Sequence, residues 1–202
     1  MEENKIKRPN KKLFIGVLLF IVLIVGGVLG FMYFRPQRTS QTTSLARSAT
    51  LSFLYDEISA SLGETVTLDV VLDTGGVSVT GADVILVYDP EAIVMQEIIP
   101  ADNNLFGAPA EYEVTENIIM QENGQAFFRI HANDAKTPST TRQGKGAIAT
   151  VNFAIHPTYE GDKAAILIFK DEEAQNATSR VLIEGYQGSI LGDPRSIVID
   201  IN

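Results

Sequence analysis

The sequence predicts an all-β fold, two packed antiparallel sheets of about nine strands, preceded by one N-terminal transmembrane helix. Three observations carry this. Short runs of alternating or continuous apolar residues recur from Thr50 to the C-terminus. Turn-forming Gly, Pro, Asn and Asp separate them about every 8–15 residues, and no amphipathic helical periodicity competes with them. Finally, Leu13–Phe34 is the one long uncharged apolar stretch of the chain.

That stretch, "LFIGVLLFIVLIVGGVLGFMYF", has 22 residues, enough to cross a hydrocarbon core about 30 Å thick as a helix. Residues 1–12 form a basic tail with Lys5, Lys7, Arg8, Lys11 and Lys12, whereas only Arg35 and Arg38 follow closely behind. The bias predicts a single-pass protein in the cell membrane, N-terminus cytoplasmic and C-terminal domain extracellular. A cleaved signal peptide is the alternative; its apolar region is usually about 7–15 residues and ends in small residues. Here the run is longer and ends in the bulky, basic "FMYFRPQR". Residues 35–47, "RPQRTSQTTSLAR", lack apolar periodicity and read as a flexible linker.

The sandwich domain is expected over residues 48–202. "TLSFLY" (50–55) alternates, and "TVTLDVVLD" (65–73) is the cleanest period-2 stretch, with Val66, Leu68, Val70 and Leu72 on one face. "GADVILVY" (81–88) is apolar on both faces, with Asp83 beside Ile85 and Val87 on one of them. An antiparallel strand with one wet face would alternate more cleanly, so this second face lies under a loop or is offered to a partner. Asp-Pro at 89–90 stops the strand, and "AIVMQEI" (92–98) reads as a short strand or a helical turn. "NIIMQENGQAFFRIHA" (117–132) reads as a hairpin with a type I′ turn at Asn123-Gly124. "GAIATVNFAI" (146–155), "AAILIF" (164–169), "RVLIEG" (180–185) and "SIVIDI" (196–201) complete the set.

Net charge is −9 for the whole chain; past residue 12 it is −12, from 11 Lys and Arg against 23 Asp and Glu. An acidic exterior domain argues against nucleic acid and anionic membrane surfaces as partners. The absence of Cys removes thiol nucleophiles and Cys-based zinc sites. His131 and His156 read as structural strand residues. No Ser stands in a nucleophile motif, and "GKGA" (144–147) lacks phosphate-loop spacing. The carboxylate pairs in "YDPE" (88–91) and "DEE" (171–173) fall at strand ends, where acids cap turns. No catalytic residues and no resident cofactor are expected, with a loop-bound calcium ion left open. "DNN" (102–104) begins like a calcium loop, but Phe106 occupies the third ligand position. "NAT" (176–178) fits a glycosylation acceptor.

"SLGETVTLDVVLD", "VTGADVILVYDPEAI" and "GKGAIATVNFAI", in that order and spacing, resemble a cohesin domain. Cohesins are the receptor modules of cellulosomes. The resemblance covers most of residues 48–202, and its most specific piece is "YDP" after a strand with Asp five residues before the Tyr. Related carbohydrate-binding modules share much of the pattern. The resemblance implies a nine-stranded jelly-roll β-sandwich with one sheet face that binds a dockerin module, in a calcium-dependent manner because the dockerin carries calcium. In type I cohesins the corresponding strand bears an Asn-x-Asp pair that contacts dockerin; the Asp is Asp83, and Gly81 stands at the Asn position. A contacting Tyr falls on Gln121, a contacting Glu on Asn133, and apolar contacts on Ile130 and Ala132.

The sequence therefore points to a non-catalytic binding module displayed outside the cell. It would tether a dockerin-bearing, polysaccharide-degrading protein through a face containing Gly81, Asp83, Ile85, Gln121, Ile130, Ala132 and Asn133. Direct binding of a polysaccharide is the main alternative, with Tyr112, Tyr159 and Tyr186 as stacking platforms in a chain without Trp. A structural or adhesion subunit is the third. A role for Asp83 in merely keeping a sheet face soluble stays open beside the binding role.

Overall fold

The computed structural model describes residues 48–133, 142–171, 178–186 and 188–202. Leu13–Phe34, the linker and most of the 176–178 acceptor lie outside the described residues. Among the described residues no helix is long and apolar enough to cross a membrane.

Eleven strands are present among them: β1 Thr50–Phe53, β2 Glu57–Ala60, β3 Thr65–Asp73, β4 Gly81–Tyr88, β5 Ile93–Pro100, β6 Tyr112–Met120, β7 Gln125–Ala132, β8 Lys145–Ile155, β9 Lys163–Ile168, β10 Arg180–Leu182 and β11 Ile197–Ile201. They form a four-stranded sheet, β1-β3-β8-β5, and a seven-stranded sheet ordered β2-β11-β9-β4-β7-β6, with β10 also paired to β4. The inner faces meet in one core, led by Phe53, Leu72, Leu86, Phe128, Val151, Phe153 and Ile166. The all-β sandwich is as the alternation predicts. The count exceeds nine because the 92–98 segment is a full strand, β5, and because β2, "EISA", is defined by its parallel pairing with β11 rather than by its own weak pattern.

The β6–β7 connection departs from the expected two-residue turn. Met120 pairs with Gln125, so four residues form the loop, and Gln121–Asn123 wind as a 3-10 turn. Only Gly124 of the Asn-Gly pair reverses its backbone, with φ +60°. A Cβ there would lie 2.1 Å from the Tyr88 carbonyl oxygen, so the position needs Gly for closeness as well as for φ. Gln121 ties the loop to the β4–β5 corner. Its side-chain oxygen accepts from Tyr88 Oη (3.1 Å) and Met95 N–H (2.9 Å), and its amide donates to Ile93 O at 2.7 Å. The corner itself is an Asp turn, in which Asp89 Oδ1 accepts the Glu91 N–H at 2.9 Å.

Candidate docking face

β4 sits in the middle of the larger sheet, with both faces short of water. Ala82, Val84, Leu86 and Tyr88 enter the core. Gly81, Asp83, Ile85 and Val87 point outward, yet Asp83 is only 4% exposed. The register explains this. Asp83 stands directly opposite Arg129 on β7 and opposite Arg180 on β10, and Arg129 stands opposite Glu116 on β6. Directly opposed side chains share a face and reach one another. Arg129 Nε donates to Asp83 Oδ1 at 2.9 Å, Arg180 Nε to Oδ2 at 2.9 Å, and Arg180 Nη2 also reaches Oδ2. Arg129 Nη1 lies 3.2 Å from Glu116 Oε2. The result is a four-strand ladder of alternating charge, Glu116–Arg129–Asp83–Arg180.

Burial would push the Asp83 carboxyl up. His131, Arg180 and Arg129 outweigh it and hold the carboxyl below the ordinary value of 3.8. The guanidiniums are within hydrogen-bond reach, whereas His131 Nε2 stands 3.7 Å from Oδ1. This answers what an Asp does on that face: it is the anion between two cross-strand arginines.

Ile85 is covered for a different reason. β9 pairs with Leu86–Tyr88 and β10 with Gly81–Asp83, so the two strands meet β4 end to end. Backbone groups at the junction would be orphaned. Phe169 N–H donates to Ile85 O at 2.8 Å, and Ser179 Oγ accepts the Ile85 N–H at 2.9 Å.

Next to the ladder runs an apolar row. Ile118, Phe127 and Ile85 are in register across β6, β7 and β4, and Val87 faces Leu167 on β9. Ile118 is 47% exposed and Leu167 46%, and Phe169 and Val198 are exposed on the same face. A groove of about 270 Å³ opens between ladder and row, lined by Asp83, Ile85, Glu116, Phe127, Arg129 and Thr178. The outer face of the smaller sheet is different in kind. There Thr67 bonds Asn152 (2.8 Å) and Thr150 bonds Asp69 (2.7 Å) in a polar lattice. Among the described residues, exposed Ile118, Leu167, Phe169 and Val198 lie on the larger sheet's outer face, against Ile99 on the smaller sheet's.

The structure redistributes the sequence-derived contact residues. Gly81, Asp83 and Ile85 lie on this outer face of β4. Ile130 and Ala132 do not: they alternate inward on β7 and are buried in the core, Ile130 facing Ala82. Gln121 is spent on pinning its loop, as described. Asn133 follows β7 and donates its backbone N–H to Glu111 O at 2.8 Å. The strand register, which the sequence alone does not announce, lines Arg129, Arg180 and Glu116 up with Asp83 and sets Phe127 and Ile118 in line with Ile85. His156 follows the end of β8, its Nδ1 3.0 Å from Thr158 Oγ1.

The alternative chemistries find no support here. Tyr112, Tyr159 and Tyr186 all pack against the core instead of forming a platform. Asn104 spends its amide on Ile148 O (2.7 Å) and its oxygen on Phe106 N–H (2.9 Å). Among the described residues, no group of three His, Asp or Glu side chains is placed to hold a metal ion.

Two packed sheets enclosing one core define the class as a β-sandwich. Comparison with solved structures specifies the type. The third cohesin of ScaC in complex with the ScaB dockerin, from Acetivibrio cellulolyticus, superposes with a TM-score of 0.60 at 15% identity, over 76% of this chain and 98% of that one. CaCohA2 from Clostridium acetobutylicum gives 0.58 at 16% identity, over 77% and 91%. A type II cohesin domain from the Acetivibrio cellulolyticus cellulosome gives 0.57 at 15%, over 75% and 95%. The chain has the cohesin fold. No family model matches the sequence, and no curated protein does.

Proposed function

We propose that this protein is a non-catalytic, cohesin-like receptor that tethers a dockerin-bearing protein in a polysaccharide-degrading system. Leu13–Phe34 anchors it in the cell membrane, with the sandwich outside. The observation that carries the reading is the outer face of β9-β4-β7-β6, where exposed Ile118 and Leu167 lie beside a charge ladder paired within the sheet. Such a face buries apolar area on docking without stranding an unpaired charge. The ladder also disfavours catalysis, since a carboxyl held between two guanidiniums at neutral pH is a poor proton donor. The anchor rests on the length of the apolar run and the Lys/Arg bias before it.

The test is titration calorimetry of the full chain in mild detergent with a set of purified dockerin modules, with calcium and with chelator. The reading expects saturable binding that the chelator abolishes. No binding by any module, with retention on cellulose or xylan, would contradict it.

A further inference from the structure

On the reading of this face as a dockerin seat, we propose that Glu116 is its polar specificity determinant, and that the partner meets it with a basic side chain beside an apolar one. The inference starts from a change of parity in β6. A regular strand would keep Val114, Glu116 and Ile118 on one side. The register shifts between Val114 and Glu116, leaving Thr115 as a bulge without a partner on β7. Val114 therefore packs against the core, whereas Glu116 faces Arg129 on the outer side and Ile118 is half exposed. One bulge thus presents a carboxylate and an apolar side chain together, two residues apart.

Two carboxylates line the adjoining groove, Asp83 and Glu116. Asp83 has nothing left to offer: one oxygen accepts from Arg129 Nε and the other from Arg180 Nε and Nη2, and the side chain is almost wholly buried. His131 nearby turns Nε2 toward Asp83 at 3.7 Å and Nδ1 toward Gly81, where a Cβ would lie 2.8 Å from it. Glu116 differs. Its Oε2 lies 3.2 Å from Arg129 Nη1, its side chain is 30% exposed, and among the described residues no donor meets Oε1. A module that packs on Ile118 without supplying a donor strips water from that oxygen at a cost.

The neighbours decide the sign of the donor. Arg129 stands between the carboxylates of Asp83 and Glu116, so an incoming acid meets like charge on both sides. Glu113, exposed at the rim opposite His131, adds to that repulsion. A lysine or arginine at Oε1 gains a charge-assisted hydrogen bond instead. The charge of −12 past residue 12 draws the same kind of partner during encounter. Ile118 and the groove lined by Ile85 and Phe127 take the apolar neighbour.

The experiment is a yeast-displayed library of dockerin modules with the exposed positions of their helices randomised, sorted on the immobilised full chain and on its Glu116→Gln variant. The amide keeps the shape of the side chain and removes its charge, and melting should stay within about 4 °C of the wild type, as for a partly exposed ion pair. Modules retained by the wild type should carry Lys or Arg, and changing that residue to Met should weaken binding at least about tenfold. The same modules should bind Glu116→Gln about tenfold more weakly. Glu116→Lys should instead retain modules with Asp or Glu; if it does not fold, the loss in Glu116→Gln decides. Retained modules without basic preference, or bound equally by wild type and Glu116→Gln, overturn this proposal and leave the dockerin reading standing. Retention of no module by the wild type overturns both.

Discussion

Asp83 and Arg180 face each other directly across β4 and β10, and Arg180 grips one carboxylate oxygen through both Nε and Nη2. Arg129 holds the other oxygen from the opposite side, at 2.9 Å. A residue that the sequence offers as a partner contact is therefore a structural hub. Asp83→Ala should lower stability by about 3 kcal/mol, the lower end for breaking a buried pair, because its partners remain partly exposed. For a domain of this size that is a fall of roughly 6–12 °C in Tm. An unchanged Tm would show the ladder to be ornamental.

The same ladder sets a pH dependence. The folded carboxyl of Asp83 titrates below its ordinary 3.8. Its contribution is thus fully present above that value and is lost as pH falls through the depressed folded value. In urea unfolding, stability of the wild type should drop more steeply below about pH 4 than that of Asp83→Asn. Parallel acid limbs would refute the assignment.

Gln121 is expected to act on stability. Gln121→Ala removes three hydrogen bonds that hold the β6–β7 loop against the β4–β5 corner. The cost should be about 1–3 kcal/mol from the groups left unsatisfied. Tyr88→Phe should be non-additive with it in a double-mutant cycle. Simple additivity would mean that the Tyr88 bond to Gln121 contributes nothing.

Ile118 and Ile130 should separate the two faces. Ile130 is fully buried, and Ile130→Ala should cost about 2–5 kcal/mol. Ile118 is half exposed, and Ile118→Ser should stay within about 0.5 kcal/mol. Only the Ile118 variant should weaken dockerin capture at unchanged Tm. Equal stability losses would place both side chains in the core.

The legible part of the fold is the part written in alternation. "TVTLDVVLD" gives β3 residue for residue, because one face is dry and the other wet. The parity of β4 is equally readable, and so is the oddity of its second face. What occupies that face was not readable, because it depends on cross-strand register. A two-residue turn at Asn123-Gly124 would set Glu122 against Gln125 and Ile118 against Arg129. The four-residue loop shifts β6 by two and brings Glu116 onto Arg129. Arg180 is further still, 97 residues from Asp83; "RVLIEG" marks its strand, but nothing in it names β4 as the neighbour. Ile130 and Ala132 face the core because they alternate with Arg129 and His131 along β7, whereas the cohesin resemblance marks contacts by position in the chain.

The most direct measurement is an amide chemical-shift map of the full chain titrated with a dockerin module in calcium. The account predicts that the largest changes fall on Ile118, Phe127, Arg129, Leu167 and Phe169, with Thr67 and Asn152 on the other sheet unmoved. Changes centred on Thr67, Asp69 and Asn152, or none at all, would contradict it.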